Sequence, residues 1–301
     1  MPAAIEKVGW GGWPSCYRLS NGEAELIVTG DVGPRVIRYG FVGGQNLFLE
    51  LPDQFGKSGE PDFQPRGGHR IWSAPEEFPR TYAPDNHPVA IDVQGSTLTA
   101  TAPVEPSGLR KQILVRLASV GSSVHVLHRI ENMLAWPIEV AAWALTMMAP
   151  GGVGITGFPP RGTHPEVLPP THPLVMWAFS DLSDPRWLFT KKYMVLRHDA
   201  SRPEPTKLGH FNERTWGAYL LNGELFVKRY DAERGKPYPD FGASYETFAN
   251  GTTLELETLG PLTRLAPGER LEHVERWSLH RGVAVHEWSD AELDRTVAAL
   301  V

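Results

Sequence analysis

The chain has 301 residues, with 29 Lys or Arg against 35 Asp or Glu, which gives a formal net charge of −6 at pH 7. This acidic balance and the lack of a basic stripe argue against a nucleic-acid partner, and the single cysteine, Cys16, excludes an internal disulfide and any metal site built from several cysteines. No run of about 18 apolar residues could span a membrane, and the N-terminus lacks the pattern of a signal peptide, so we expect a cytoplasmic protein without a membrane partner.

Residues 16–48 predict an antiparallel β-meander. The alternating segments CYRLSNG, EAELIVTGDVG and RVIRYGFVGG are separated by turn-forming residues. Asn21 and Gly22 between two such segments are a strong hairpin signal. The 27 prolines and 30 glycines are dispersed along the chain, which suits many short strands with tight connections. We therefore expect an all-β protein.

Residues 53–88 differ from this pattern because they lack periodicity and are dense in Gly, Pro, aromatic and charged residues. A connection of this length is usually functional or disordered. Within it, Gly67 and Gly68 would let the backbone approach a ligand, to which His69, Arg70 and Trp72 offer a donor, a cation and a stacking face. The alternative is a packed surface loop in which Arg70 pairs with a nearby glutamate. Two further candidate ligand contacts in this segment are Glu76 and His87.

The next 60 residues return to strand patterns and contain the most apolar stretch of the chain. His125 and His128 would lie on opposite faces of one strand, so they do not form a metal pair, and we expect no metal site. Residues 132–150 predict a buried central strand, with a core helix as the alternative. Trp143 within that stretch is either core or the floor of a pocket.

The following segment alternates turn-rich and aromatic stretches. Asn222 and Gly223 mark another hairpin between apolar runs. Lys192, Lys207 and Lys228 are each expected to face solvent, although their aromatic neighbours leave room for a ligand contact. Lys207 is kept as a candidate substrate contact for that reason.

The stretch from 254 to 279 has two strand patterns joined by a Pro-Gly turn. Glu255 and Glu257 alternate with leucines, so both carboxylates share one face of their strand. They predict either an exposed hairpin with an acidic, solvated side or a pair of carboxylates facing a cleft. Just before them, Glu246 occupies an alternating strand pattern and is a further candidate ligand contact.

The C-terminal residues 289–301 predict the one clear helix. Ser289 would be its N-cap, with Glu292 three residues later completing a capping box. No internal repeat or low-complexity linker divides the chain, so we expect a single domain spanning residues 1–301.

Three short motifs resemble the galactose mutarotase-like superfamily, which includes the aldose 1-epimerases. Leu256-Glu257-Thr258 resembles the Leu-Glu-Thr of mutarotases, and His69-Arg70-Ile71 resembles their Asn-Arg-Ile. The segment from Asn132 through Pro137, an Asn and a Pro before a buried strand, resembles the segment that precedes the catalytic histidine of that family. The resemblance implies a large antiparallel β-supersandwich with a short C-terminal helix, an open sugar-binding cleft and no cofactor. It also implies Glu257 as general base and Arg70 as a ligand of sugar oxygens.

The chain departs from the family where the catalytic histidine is expected. No histidine lies between Arg129 and Thr163. The residue that would act as the acid opposite the base is therefore not identified by this motif. His69, His87 or Tyr82 could supply it from residues 53–88, and His69 is the named candidate. The functions left open are an aldose 1-epimerase-like enzyme, a non-catalytic protein that binds a sugar or sugar acid, and a structural sandwich. The sugar and the oligomeric state are not determined by the sequence.

Overall fold

A computed structural model describes residues 3–301. Its regular secondary structure is mainly β-strand, and the strands form two antiparallel sheets. In chain order the strands are β1 (Ala4–Trp10), β2 (Trp13–Ser20), β3 (Ala24–Val28), β4 (Arg35–Phe41), β5 (His69–Ala74), β6 (Ala90–Gln94), β7 (Thr97–Thr101), β8 (Leu109–Leu117), β9 (Val124–Asn132), β10 (Ile138–Met148), β11 (Val153–Gly157), β12 (Leu174–Met176), β13 (Trp187–Phe189), β14 (Tyr193–Arg197), β15 (Thr206–His210), β16 (Trp216–Leu221), β17 (Glu224–Tyr230), β18 (Tyr245–Ala249), β19 (Leu254–Leu259), β20 (Thr263–Leu265) and β21 (Arg270–Arg281).

The helical segments are short. They are two 3₁₀ turns, Pro52–Gln54 and Ala298–Leu300, a single turn α1 (Pro239–Gly242) and the C-terminal helix α2 (Asp290–Thr296). Within residues 3–301, no helix is long and apolar enough to cross a membrane.

The first sheet has the strand order β1-β2-β3-β4-β5-β10-β19-β18-β15-β12, with β20 also paired to β10. The second sheet has the order β13-β14-β11-β16-β17-β21-β9-β8-β7-β6. Apolar side chains from the inward faces of both sheets form the main core, in which Tyr39, Phe48, Phe226 and Trp277 pack edge to face. This architecture agrees with the all-β sandwich expected from the sequence.

The apolar stretch at 132–150 contains strand β10 in the centre of the first sheet, which confirms the predicted buried central strand. It pairs with β5 on one side and β19 on the other. Nine consecutive residues of β10, from Val140 to Met148, are buried, because one face meets the second sheet and the other is covered by aromatic side chains. A strand covered on both faces reads as a continuous apolar run.

The two strand patterns at 254–279 do not form a hairpin, contrary to one of our interpretations. Strand β19 lies in the first sheet and β21 lies in the second, so the chain crosses between sheets through β20. Both strands are then covered on their inner faces. Glu255 and Glu257 project from the opposite face of β19, into the cleft described below, and neither is solvated. The predicted strands themselves are present, but alternation within a strand does not determine which strand it pairs with.

The segment at 53–88 is not a continuous loop, because β5 lies within it and is buried over its entire length. Gly67 and Gly68 have positive φ values of 81° and 68°, and a Cβ at either would collide with the carbonyl oxygen of Leu49 or Val36. The glycines therefore allow close approach of backbone to backbone, and not of backbone to ligand as expected.

Helix α2 covers the outer face of the second sheet near β16 and β17. Leu293 and Val297 are fully buried in a cluster with Trp216, Val227 and other residues. The Ser289 hydroxyl accepts a hydrogen bond from the Glu292 backbone N–H, which confirms the predicted N-cap. The Glu292 carboxylate instead accepts from the backbone N–H of His286, so the capping box is only half formed.

Candidate functional site

A cleft of about 350 Å³ opens on the first sheet, on the face turned away from the second sheet. Seven of the ten candidate residues from the sequence line it, namely Arg70, Trp72, Glu76, Trp143, Lys207, Glu255 and Glu257. Four aromatic side chains that the sequence did not single out for this role complete the wall, namely Tyr82, Trp177, Phe179 and Phe248.

Strand register explains why residues far apart in sequence meet here. Leu145 of β10 pairs with Arg70 of β5 on one side and with Glu257 of β19 on the other. Directly paired residues share a face, and adjacent strands lie about 4.8 Å apart. Arg70 and Glu257 therefore project to the same side with one strand between them, about 10 Å apart at the backbone. The guanidinium and the carboxylate thus reach one cleft.

Glu257 is held by two donors from neighbouring strands. Its Oε2 accepts hydrogen bonds from Trp143 Nε1 and from Lys207 Nζ, both at 2.8 Å. Its Oε1 has no hydrogen-bond partner among the described residues. One oxygen of this carboxylate is therefore fixed, and the other remains available at the cleft.

Lys207 is enclosed, contrary to the expectation that it faces solvent. Its Nζ lies 2.7 Å from Glu246 and 2.8 Å from Glu257, and 4.5 Å from the ring centres of both Trp143 and Trp177. Burial lowers the pKa of Lys207, but the two carboxylates raise it by more, and the net shift is upward. The ammonium group is therefore a permanent positive charge beside Glu257.

Glu246 lies behind Lys207 and is fully buried, so it touches the cleft only through that lysine. Burial raises the pKa of Glu246 well above its usual range; Lys207 opposes the shift, and Glu257 adds to it. This is a supporting position and differs from the direct ligand contact expected from the sequence.

Arg70 lines the cleft and has buried donors that lack a partner within residues 3–301. Its guanidinium lies over the Trp72 ring, 4.4 Å from the ring centre, and its Nη2 is 3.5 Å from Glu255 Oε2. Arg70 Nε and Nη1 have no hydrogen-bond partner among the described residues. A buried guanidinium with unused donors suits a ligand that carries oxygen acceptors.

Glu255 differs from Glu257 in its surroundings, although both lie on β19. Burial raises the pKa of the Glu255 carboxyl; Arg70 opposes this, and the charge of Glu257 adds to it. Residues two apart on a strand lie about 6.5–7 Å from each other on the same face. The cleft thus contains two carboxyl groups in different electrostatic environments.

The segment before and after β5 supplies one aromatic side of the cleft. Phe63 packs on Trp72 and Tyr82, and the exposed Phe78 stacks on Tyr82 with ring centres 4.1 Å apart and planes 8° from parallel. Tyr82 donates a hydrogen bond to Glu76. Tyr82, Phe63 and Phe78 also line a groove of about 690 Å³ next to the cleft.

Neither candidate histidine lies in the cleft. His69 is on β5 next to Arg70, so alternation directs its side chain to the opposite face, between the sheets, where it is fully buried. Its Nε2 is 2.7 Å from His128 Nε2, and its Nδ1 is 2.9 Å from the Thr146 hydroxyl. His87 is exposed on the surface and is not part of the cleft wall.

The inter-sheet side chains around His69 form a closed polar network. His69, His128 and Glu275 bring three possible metal-ligand atoms within 4.8 Å of one another. However, Glu275 already accepts hydrogen bonds from Trp277 and Thr258. Its Oε1 also lies 2.9 Å from the ammonium of Lys228. A lysine charge in this position opposes a cation, and we interpret the network as part of the core. Lys228 is therefore buried as well, which corrects the expectation that it faces solvent.

Comparison with known proteins identifies the fold. No protein-family model matches the chain, and no curated protein matches it in sequence. Solved structures do match: a protein of Synechocystis sp. PCC 6803 has a TM-score of 0.56 at 12% identity over 92% of this chain and 99% of its own. A galactose mutarotase-like protein from Lactobacillus casei has a TM-score of 0.55 at 10% identity, over 88% of this chain and 100% of its own. Another galactose mutarotase-like protein, from Clostridium acetobutylicum, has a TM-score of 0.51 at 9% identity, over 93% of this chain and 99% of its own.

The chain therefore has the galactose mutarotase-like β-sandwich fold. At these identities the likeness establishes the fold alone, and the function has to be argued from the residues of the cleft.

Proposed function

We propose that the cleft binds a sugar or sugar acid and interconverts its anomers, as an aldose 1-epimerase-like isomerase. The observation that carries this proposal is that Arg70, Glu255 and Glu257 meet in one cleft walled by Trp72, Trp143 and other aromatic rings. Aromatic faces pack on the C–H faces of a sugar ring, while a guanidinium and carboxylates bind its hydroxyl groups.

The two carboxyl groups of β19 supply the proton transfers that anomer exchange requires. In this scheme the free Oε1 of Glu257 takes the proton of the anomeric hydroxyl. The bond between the anomeric carbon and the ring oxygen then breaks, and the ring oxygen receives a proton from Glu255. Rotation of the aldehyde and the reverse steps give the other anomer and restore both groups. Burial raises the pKa of the Glu255 carboxyl, which suits the group that donates a proton.

Lys207 favours this division. Its ammonium lies 2.8 Å from Glu257 Oε2 and holds that oxygen in place, which leaves Oε1 to face the substrate. Glu255 lacks such a partner at short range, since within residues 3–301 its only ion pair is the 3.5 Å contact with Arg70. Glu255 takes the place of the acid that the sequence assigned to a histidine.

A second candidate is a protein that binds sugar without changing it. The observation that favours it is the double hydrogen bond on Glu257 Oε2, because donors that stabilise a carboxylate also weaken it as a base. The small-molecule ligand is the same in both cases.

Two measurements on the same protein separate the candidates. Exchange between anomers is followed by NMR for hexoses and hexuronic acids, and binding is followed by calorimetry. The proposal predicts acceleration over buffer that falls at least about 100-fold in Glu257→Gln and Glu255→Gln, while binding persists. Binding without acceleration in the wild type would establish the second candidate. A wild type that shows no binding and no acceleration with any sugar of the panel would contradict both candidate functions.

A further inference from the structure

The outer face of the second sheet carries rows of side chains that run across neighbouring strands. On β8, β9 and β21 alternate residues face outward, because the intervening ones are buried in the core. The register aligns them into four rows, which are Arg110–Glu131–Arg270, Gln112–Arg129–Glu272, Leu114–Leu127–Val274 and Arg116–His125–Arg276. The last row continues onto β17, where Arg229 pairs with Arg276.

In the first two charged rows the arginines have carboxylate partners, and Arg270 of the first row lies 3.8 Å from Glu272 of the second. Arg110 contacts Glu131 at 2.6 Å. In the next row Arg129 contacts Glu272 at 2.7 Å and donates to Gln112 at 3.0 Å. Opposite charges directly across adjacent strands stabilise a sheet, so these rows have an ordinary structural explanation.

The fourth row, which we call the basic row (Arg116, His125, Arg276 and Arg229), has no such neutralisation within itself. Like charges directly opposite each other destabilise a sheet. One carboxylate, that of Asp231, contacts it, at 3.2 Å from each Nη of Arg276, and both partners are more than half exposed. This bidentate pair offsets one of the three guanidinium charges of the row, and the chain as a whole is acidic. The positive charge of the basic row is therefore opposite in sign to the net charge of the chain.

The basic row lines a surface cavity of about 550 Å³. Ser96, Ser119 and Ser123 also line it, which adds hydroxyl groups, and among the described residues no Asp or Glu lines it. Burial lowers the pKa of His125, and the charges of Arg116 and Arg276 lower it further. That shift reports a positive potential at the centre of the row.

We propose that the basic row is an anion site for a small molecule that carries two or more phosphoryl groups. The row crosses four strands, so it spans three inter-strand spacings, or about 14 Å. Guanidinium groups bind phosphoryl oxygens in a bidentate manner, and serine hydroxyls add neutral donors. A bound polyanion would offset the repulsion within the row. The site lies on the second sheet, away from the sugar cleft on the first.

The test uses inorganic pyrophosphate as the probe, with calorimetry at low ionic strength and NMR of the histidine ring protons. The wild type should bind pyrophosphate at least about fivefold more tightly than orthophosphate, and the pKa of His125 should rise on binding. Arg116→Gln and Arg276→Gln should each weaken binding about tenfold.

Arg129→Gln is the matched control, because it changes the net charge equally but lies in a neutralised row. It should leave pyrophosphate binding within about twofold of the wild type. Equal weakening by all three variants would show non-specific attraction and overturn the proposal. A wild type that does not bind pyrophosphate, or an unchanged His125 titration on binding, would also overturn it.

Discussion

The ammonium of Lys207 and the carboxylate of Glu257 form a buried ion pair at 2.8 Å in the centre of the candidate cleft. Lys207 comes from β15 and Glu257 from β19, with β18 between them. Glu246 of β18 completes the arrangement at 2.7 Å from the same ammonium. The ammonium of Lys207 therefore forms ion pairs with two carboxyl groups, and the positions of both depend on it.

Replacement of Lys207 should destabilise the fold strongly. In Lys207→Met the side chain stays unbranched and is one atom shorter, but Glu246 and Glu257 lose their cation while remaining buried. Removing one partner of a buried ion pair costs about 3–5 kcal/mol, which urea denaturation at pH 7 would measure. Lys192→Met is the control, because Lys192 pairs with Asp294 at the surface, and its loss should cost less than about 1 kcal/mol. Similar losses in both variants would contradict the central role of Lys207.

Arg70→Lys tests the recognition of acidic sugars. The variant keeps the positive charge but loses the planar donors that lie over Trp72. A bidentate contact to a carboxylate should therefore disappear, so affinity for a hexuronic acid should fall about tenfold or more, with a smaller change for the neutral hexose. Calorimetry with galacturonate and galactose measures both. An equal loss for the two ligands would argue against a carboxylate at Arg70; Arg110→Lys, on the other sheet, should change neither.

Phe78→Ala tests whether the ligand extends beyond one sugar ring. The exposed stack of Phe78 on Tyr82 lies in the groove that adjoins the cleft. An oligosaccharide that reaches this stack should lose about 2–10-fold in affinity, which corresponds to one aromatic contact, whereas a monosaccharide should bind unchanged. Trp136→Ala removes an exposed aromatic side chain outside both the cleft and the groove and should have no effect. Equal affinity of wild type and Phe78→Ala for tri- and tetrasaccharides would confine the ligand to the cleft.

Stability should fall in mild acid because of buried histidines. Burial lowers the pKa of His210 and of His273 to about 3, whereas histidine in an unfolded chain titrates near 6.5. Between these values the unfolded state binds more protons, so the free energy of unfolding decreases as the pH falls. Each histidine can contribute up to about 1.4 kcal/mol per pH unit below pH 6.5.

Urea denaturation between pH 7 and pH 5 checks this dependence. His210→Phe should reduce the slope, because the ring packs beside Phe158 and Tyr245 and phenylalanine cannot take up a proton. His87→Gln should leave the slope unchanged, since His87 is exposed. A slope in His210→Phe equal to that of the wild type would show that His210 is not neutral in the fold.

Much of the strand content could be predicted from local patterns. Alternation identified β19 and β21, the apolar run identified β10, and Ser289 marked the start of α2, because each signal depends on neighbours a few residues away. The same patterns also indicated that Glu255 and Glu257 share a face. They could not show that β19 and β21 belong to different sheets, since strand pairing depends on distant residues.

The sequence by itself determined an acidic, all-β chain and named most of the side chains that line the cleft. Only the tertiary structure decided what those side chains do. Arg70 and His69 are adjacent in sequence but lie on opposite faces of β5, so one reaches the cleft and the other joins the network between the sheets. The local sequence predicts Lys207 at the surface, but the residue is buried because β15 pairs with β18. A buried charge is stable only beside its partners, and Lys207 finds its own in Glu246 and Glu257, which lie about 40 and 50 residues further along the chain.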